Sequence, residues 1–189
     1  MPFIFEKTPL EGVILIKPQV FYDDRGYFFE SYKKSEFAKA GIDCEFNQEN
    51  NSKSARDVVR GLHYQKTPHA QAKLVRVAKG AIIDVVVDIR KGSPDYGKWI
   101  KVELSEENHR MIFVPRGFAH GFVALSEFAE LQYKVDNEYC KAAEGGIIWN
   151  DPALGVDWGV TDPILSEKDT VLPLLAEADN NFIYGGVDL

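Results

Sequence analysis

From residue 58 onward the chain is a succession of short β-prone runs cut by turn residues, with almost no helical periodicity. That pattern restricts the fold more than any other feature. Val58, Val59, Leu62, Leu74, Val75 and Val77 open it, apolar and mostly β-branched residues that suit a half-buried pleated surface. Ala81 to Ile89 (AIIDVVVDI) alternates Ile83, Val85, Val87 and Ile89 on one face with Ile82, Asp84, Val86 and Asp88 on the other. Lys98 to Leu104 and Arg110 to Val114 flank Ser105-Glu106-Glu107-Asn108, which reads as a hairpin connection. After Pro115 and Gly117 come Gly121 to Leu125, Ala129 to Val135 and Gly146 to Trp149. Strands at such intervals imply an all-β sandwich or barrel.

The N-terminal part fits the same class. Residues 12–22, GVILIKPQVFY, form an apolar run broken by Pro18, which suits an edge strand. Asp23-Asp24-Arg25-Gly26 is a turn, and Tyr27 to Tyr32 is aromatic and strand-like. Ser35 to Ala40 closed by Gly41 is the one helix marked here. Phe46 to Ser54, FNQENNSKS, reads as a loop whose amide and acidic side chains are either solvated or ligand donors and acceptors. From Asn150 on, Pro, Gly and Asp dominate, so the tail should wrap the sheets irregularly.

A chain of 189 residues, 45% of them hydrophobic, can bury a full core and fits a single domain spanning 1–189. The start MPFIFEKTPL lacks the pattern of a secretory signal and no stretch reaches membrane-spanning length, so a cytoplasmic protein is expected. Cys44 and Cys140 are far apart and read as reduced thiols. A net charge of −7 argues against nucleic acid or an anionic membrane as partner.

Candidate chemistry centres on Arg60 to Arg76, RGLHYQKTPHAQAKLVR, which sets cations and histidines among strand residues. By parity Lys73 shares a face with Val75 and Val77, and His63 shares one with Gly61. Arg60 has the opposite parity to His63, so both reach one pocket only if the strand bends, and Gly61 is where it can. The stretch is either a cavity wall or a surface hairpin. Tyr133 shares its face with Leu131 and Val135, as an inward acid or a core phenol. Asp84, on a largely apolar face, is a buried partner for a base or a strand-end residue. There is no GxGxxG, GxxxxGK[ST] or GxSxG. His63, His69 and His120 form no HxH or HExxH pair, so no metal is expected on spacing. His, Lys, Tyr and Asp remain, a set suited to acid–base work without a cofactor.

Read together, DDRGYFFES, FNQENNSKS, RGLHYQ, PHAQAKLVRV, DVVVDIRKGSPDYGKW, VPRGFAHGF, LQYKV and ILSEKD resemble, in order and spacing, the dTDP-4-dehydrorhamnose 3,5-epimerase family. That family is cupin-like, and Pro115 to His120 looks like the second cupin box; the first-box HxH is absent, in agreement with metal-independent chemistry. The resemblance implies a jelly-roll of two antiparallel sheets with few short helices. It also implies a homodimer with exchanged N-terminal strands and a dTDP-sugar substrate. Carried over by position, His63 is the general base, Tyr133 the general acid, Asp169 the carboxylate paired with the histidine, and Lys73 the cation near the sugar carbonyl. Arg25, Glu30, Gln48, Asn50, Arg60, His120, Glu144 and Lys168 fall at positions that hold nucleotide, diphosphate or sugar. An aromatic such as Phe28 is suited to stack on thymine. The expected reaction is epimerisation at C3 and C5 of dTDP-4-dehydro-6-deoxy-D-glucose. A single-site epimerase, a metal-dependent cupin and a non-catalytic sugar-binding cupin are the alternatives, and Asp84 is the alternative orienter of His63.

Overall fold

The structure, a computed structural model, describes residues 2–186. In chain order its elements are β1 (Phe3–Lys7), β2 (Ile14–Pro18), β3 (Phe21–Asp23), β4 (Gly26–Phe28), α1 (Lys34–Lys39), β5 (Gln48–Ala55) and β6 (Val59–Gln65). There follow β7 (Lys73–Lys79), β8 (Ala81–Asp88), β9 (Trp99–Ser105), β10 (Met111–Val114), β11 (Phe118–Ala124) and β12 (Phe128–Val135). A 3-10 turn at Lys141–Ala143, β13 (Glu144–Gly146) and α2 (Glu167–Thr170) complete the set. One sheet has the order β1-β2-β10-β7-β12-β5 and the other β13-β6-β11-β8-β9, and β3 with β4 is a separate hairpin. Every strand pair is antiparallel. This is the expected cupin-like jelly-roll.

The two sheets share one core. Val75, Val77 and Leu131 of the first meet Ile82, Val86, Leu104, Phe118 and Phe122 of the second. The alternation in β8 is therefore two buried faces: Ile82 and Val86 look inward, while Val85, Val87 and Ile89 pack against Leu154, Trp158, Leu175 and Phe182 of the C-terminal tail. The tail wraps the sheet as its composition suggests. Helix α1 covers the outer side of the six-stranded sheet. Six residues are too few for an isolated helix, and fully buried Phe37, among Phe3, Phe5 and Tyr32, holds it there.

Four expectations are corrected. Phe46 to Ser54 is not a loop: most of it is β5, whose eight residues pair with β12, from Gln48↔Val135 to Ala55↔Phe128. Its polarity hid it, because the half-buried residues Gln48, Asn50 and Ser52, the first two lining a cavity, alternate with exposed Glu49, Asn51 and Lys53. Ser105 to Asn108 is a turn but not a hairpin, since β9 pairs with β8 while β10 pairs with β7 and β2. It is a corner between sheets, closed by His109 at φ +52°. The apolar run at 12–22 is not an edge: β2 lies between β1 and β10, and Pro18 is tolerated because it ends the strand opposite Phe3. The aromatic run from Tyr27 is strand only as far as Phe28.

Candidate active site

The bend foreseen at Gly61 is present. Gly61 has φ +126°, and the β6–β11 register shifts between His120 and Phe122 where the strands cross. A Cβ on Gly61 would lie 2.6 Å from the Cα of Gly121, so only glycine fits the approach. As a result Arg60 and His63 both reach one cleft, of about 340 Å³, together with Lys168 and Asp169. His63 also faces a cavity of about 320 Å³, whose wall includes Lys73, Tyr133, Gln48, Asn50 and Glu144. The surface-hairpin alternative for Arg60 to Arg76 fails, because β6 and β7 belong to opposite sheets and the cavity lies between them.

Asp169, not Asp84, holds His63. Nε2 of His63 donates to Oδ1 of Asp169 at 2.5 Å, which leaves Nδ1 as the unprotonated ring nitrogen. The carboxylate is 3% exposed and is fixed by Ser166, whose hydroxyl donates to Oδ2 at 2.9 Å and caps α2. Burial pushes the Asp169 carboxyl up, but its bonds to His63 and Ser166 and the charge of Lys168 outweigh that and keep it below its ordinary value. Across the cavity, burial pulls Lys73 down to about 8, against the negative charges of Asp84 and Glu144. Among the described residues its ammonium makes one hydrogen bond, a long one of 3.5 Å to the His63 carbonyl. Burial raises the Tyr133 phenol, opposed by Arg60, so it is protonated near neutrality.

The other expected residues fall in three places. Glu144 pairs with Lys168, and together they link the cavity to the Arg60 cleft. His120 is 8% exposed and lies beneath the lining, with Nε2 on Asp84 at 2.7 Å. Arg25, Phe28 and Glu30 do not reach the cavity of their own chain. Arg25 instead pairs with Asp23 and its side chain is 90% exposed, while Phe28 is 67% exposed on the β3–β4 hairpin. Gln65, Gln71 and Tyr139 also line the cavity and were not foreseen. The first two were legible by parity, two residues after His63 and two before Lys73. Gln65 accepts from the Cys140 amide at 2.7 Å and Gln71 donates to the Asn137 carbonyl at 2.7 Å, which fixes the loop that carries Tyr139.

A polar cavity with an imidazole on one sheet and a phenol and an ammonium on the other is furnished for proton transfer next to a developing oxyanion. The sequence model described as dTDP-4-dehydrorhamnose 3,5-epimerase matches residues 7–177. The chain belongs to that family. It is 52% identical over 175 residues to the dTDP-4-dehydrorhamnose 3,5-epimerase of Pseudomonas aeruginosa, covering 92% of this chain and 96% of that one. It is 51% identical over 174 residues to the Salmonella typhimurium enzyme of the same name, covering 91% and 95%. A Legionella pneumophila 3,5-epimerase solved with dTDP-4-keto-L-rhamnose superposes with a TM-score of 0.90 at 41% identity, covering 94% of this chain and 95% of that one. The protein is thus an isomerase that epimerises a dTDP-4-keto-6-deoxy sugar on the way to dTDP-L-rhamnose. No helix among the described residues is long and apolar enough to cross a membrane.

Proposed function

We propose that the chain inverts C3 and C5 of dTDP-4-dehydro-6-deoxy-D-glucose by metal-free acid–base catalysis, with His63 as base, Tyr133 as acid and Lys73 as the oxyanion partner. The carrying observation is that His63 on β6 and Tyr133 on β12 face one cavity from opposite sheets. Inversion needs removal of a proton from one face of the ring and return to the other. The C4 ketone acidifies the hydrogens on C3 and C5. Nδ1 of His63 takes one, and the C–H electron pair becomes an enolate whose charge rests on the C4 oxygen. The Lys73 ammonium stabilises that oxygen, a type of interaction whose loss costs about 2.7–4 kcal/mol. The Tyr133 hydroxyl then delivers a proton to the opposite face, and solvent exchange resets the imidazolium and phenolate for the second centre.

Arg60 and Lys168, in the adjoining cleft, are placed to hold the diphosphate. Gln48 and Asn50 offer amide contacts to the sugar, and Tyr139, 55% exposed, offers a stacking face at the mouth. Arg25, Phe28 and Glu30 serve a neighbouring subunit in a homodimer with exchanged N-terminal strands. Phe21, Tyr22, Tyr27 and Phe28 on the hairpin are each more than half exposed, an apolar surface that a partner would cover. The enzyme works in the cytoplasm, where sugar nucleotides are made.

Turnover in D2O tests the reading. Deuterium is expected at both C3 and C5 of the 4-keto sugar. Label at one carbon only would reassign the chain as a single-site epimerase, and none at either would refute the acid–base assignment.

A further inference from the structure

Ser54 is a buried hydroxyl outside the acid–base machinery. It lies on β5 at 3% exposure, with the same parity as Gln48 and Asn50, which line the cavity. Strand β5 belongs to the six-stranded sheet and β6 to the other, and residues 56–58 connect them through a turn that has Asp57 at φ +64°. Across that turn the Ser54 Oγ accepts from Nε of Arg60 at 3.0 Å, and the Lys53 carbonyl accepts from Nη2 at 3.2 Å. One edge of the guanidinium is thus fastened to β5. Nη1 and the outer N–H of Nη2 are left over, a fork that suits the oxygens of a phosphate. The arginine ion pairs among the described residues are those of Arg25, Arg90 and Arg116, so the Arg60 charge has no carboxylate to neutralise it.

We propose that Ser54 is a positioning residue for the epimerase reaction: its hydroxyl fastens the Arg60 guanidinium so that the free edge serves the substrate diphosphate. The proposal rests on the diphosphate role given to Arg60 above. Arg60 is exposed, and an unfastened arginine at such a position samples many rotamers, whose loss on binding costs affinity. Here the order is built in before the ligand arrives. Arg60 lines its cleft together with His63, Lys168 and Asp169, so where the diphosphate is held also decides how the sugar joined to it lies against the base. A methyl group in place of the hydroxyl would leave the charged Nε–H without its partner and free the side chain to turn.

Binding of dTDP, read by isothermal titration calorimetry, tests this as a double-mutant cycle. Ser54→Ala should weaken dTDP by about 3- to 10-fold. In an Arg60→Ala background the same change should add nothing, whereas a hydroxyl that merely supports the sheet would weaken binding in both backgrounds. In turnover the loss should fall on KM more than on kcat, because the diphosphate is remote from the proton transfers. Urea titration checks that each variant is folded, and Ser54→Gly is read in the same way should Ser54→Ala not fold. Wild-type affinity in folded Ser54→Ala, or an equal loss in both backgrounds, would overturn the proposal while leaving the role of Arg60 intact. Wild-type affinity in Arg60→Ala would refute the diphosphate assignment itself, and the proposal with it.

Discussion

Replacing Asp169 by Asn removes one charge from the His63 pair while leaving its geometry nearly intact. The asparagine carbonyl can still accept from Nε2 where Oδ1 now sits at 2.5 Å, and its amide can donate to the Ser166 hydroxyl that now donates to Oδ2 at 2.9 Å. What is lost is the charge assistance, which grows as His63 takes the substrate proton and becomes an imidazolium. A hydrogen bond to a charged group contributes about 1.5–3 kcal/mol, so kcat should fall about 10- to 150-fold. The loss appears in kcat with KM nearly unchanged, because the interaction matures only as the proton moves. The assay couples the product to a 4-keto reductase and follows NADPH, with thermal melting as the control for folding. A folded Asp169→Asn enzyme within twofold of wild-type kcat would show that the dyad does not drive proton abstraction.

Three further expectations follow from the same geometry. Tyr133→Phe should lower turnover yet retain deuterium exchange, whereas His63→Ala should abolish exchange; NMR of the sugar in D2O separates the two, and full exchange in His63→Ala would refute the base assignment. Gly61→Ala must displace backbone, since its Cβ would meet the Gly121 Cα at 2.6 Å and the His120 carbonyl at 2.8 Å at a φ of +126°. A loss of about 2 kcal/mol in urea titration, with a fall in kcat, is expected, and an unperturbed variant would mean the bend does not place the site. His109 is buried under Tyr22, Tyr27 and Phe29, and its ring lies 3.2 Å from the Tyr22 hydroxyl. Burial lowers its pKa below 6.5, so the unfolded chain binds the proton more readily and the stability due to the neutral ring is lost as pH falls through that window. Melting temperatures at pH 7.5 and 5.5 should therefore converge in His109→Gln relative to wild type, and equal slopes would contradict this.

The legible parts of this chain were those where side-chain parity and burial agree. Val75, Val77, Leu131 and Tyr133 alternate with polar neighbours, so their inward face could be read directly, as could the Gly61 bend, which only glycine permits. Strand β5 was not legible, because its inward face points at a polar cavity instead of the core and so carries amides where aliphatic residues were sought. The sheet change at Ser105 to Asn108 was hidden for another reason: a tight turn looks the same whether its strands pair with each other or with different partners. Asp169 could be placed beside His63 only through the family likeness, since the two are 106 positions apart and meet on a four-residue helix with no periodicity to announce it.

That separation bears on how the enzyme is made. During synthesis His63 leaves the ribosome long before Asp169, and every strand of both sheets has been translated before α2 follows. A chain released early can carry base, acid and lysine and still lack the carboxylate that fixes the tautomer of the base. Catalytic competence is thereby tied to synthesis through α2, and chains terminated between β13 and α2 that still bind the nucleotide sugar would be poor at exchanging its protons.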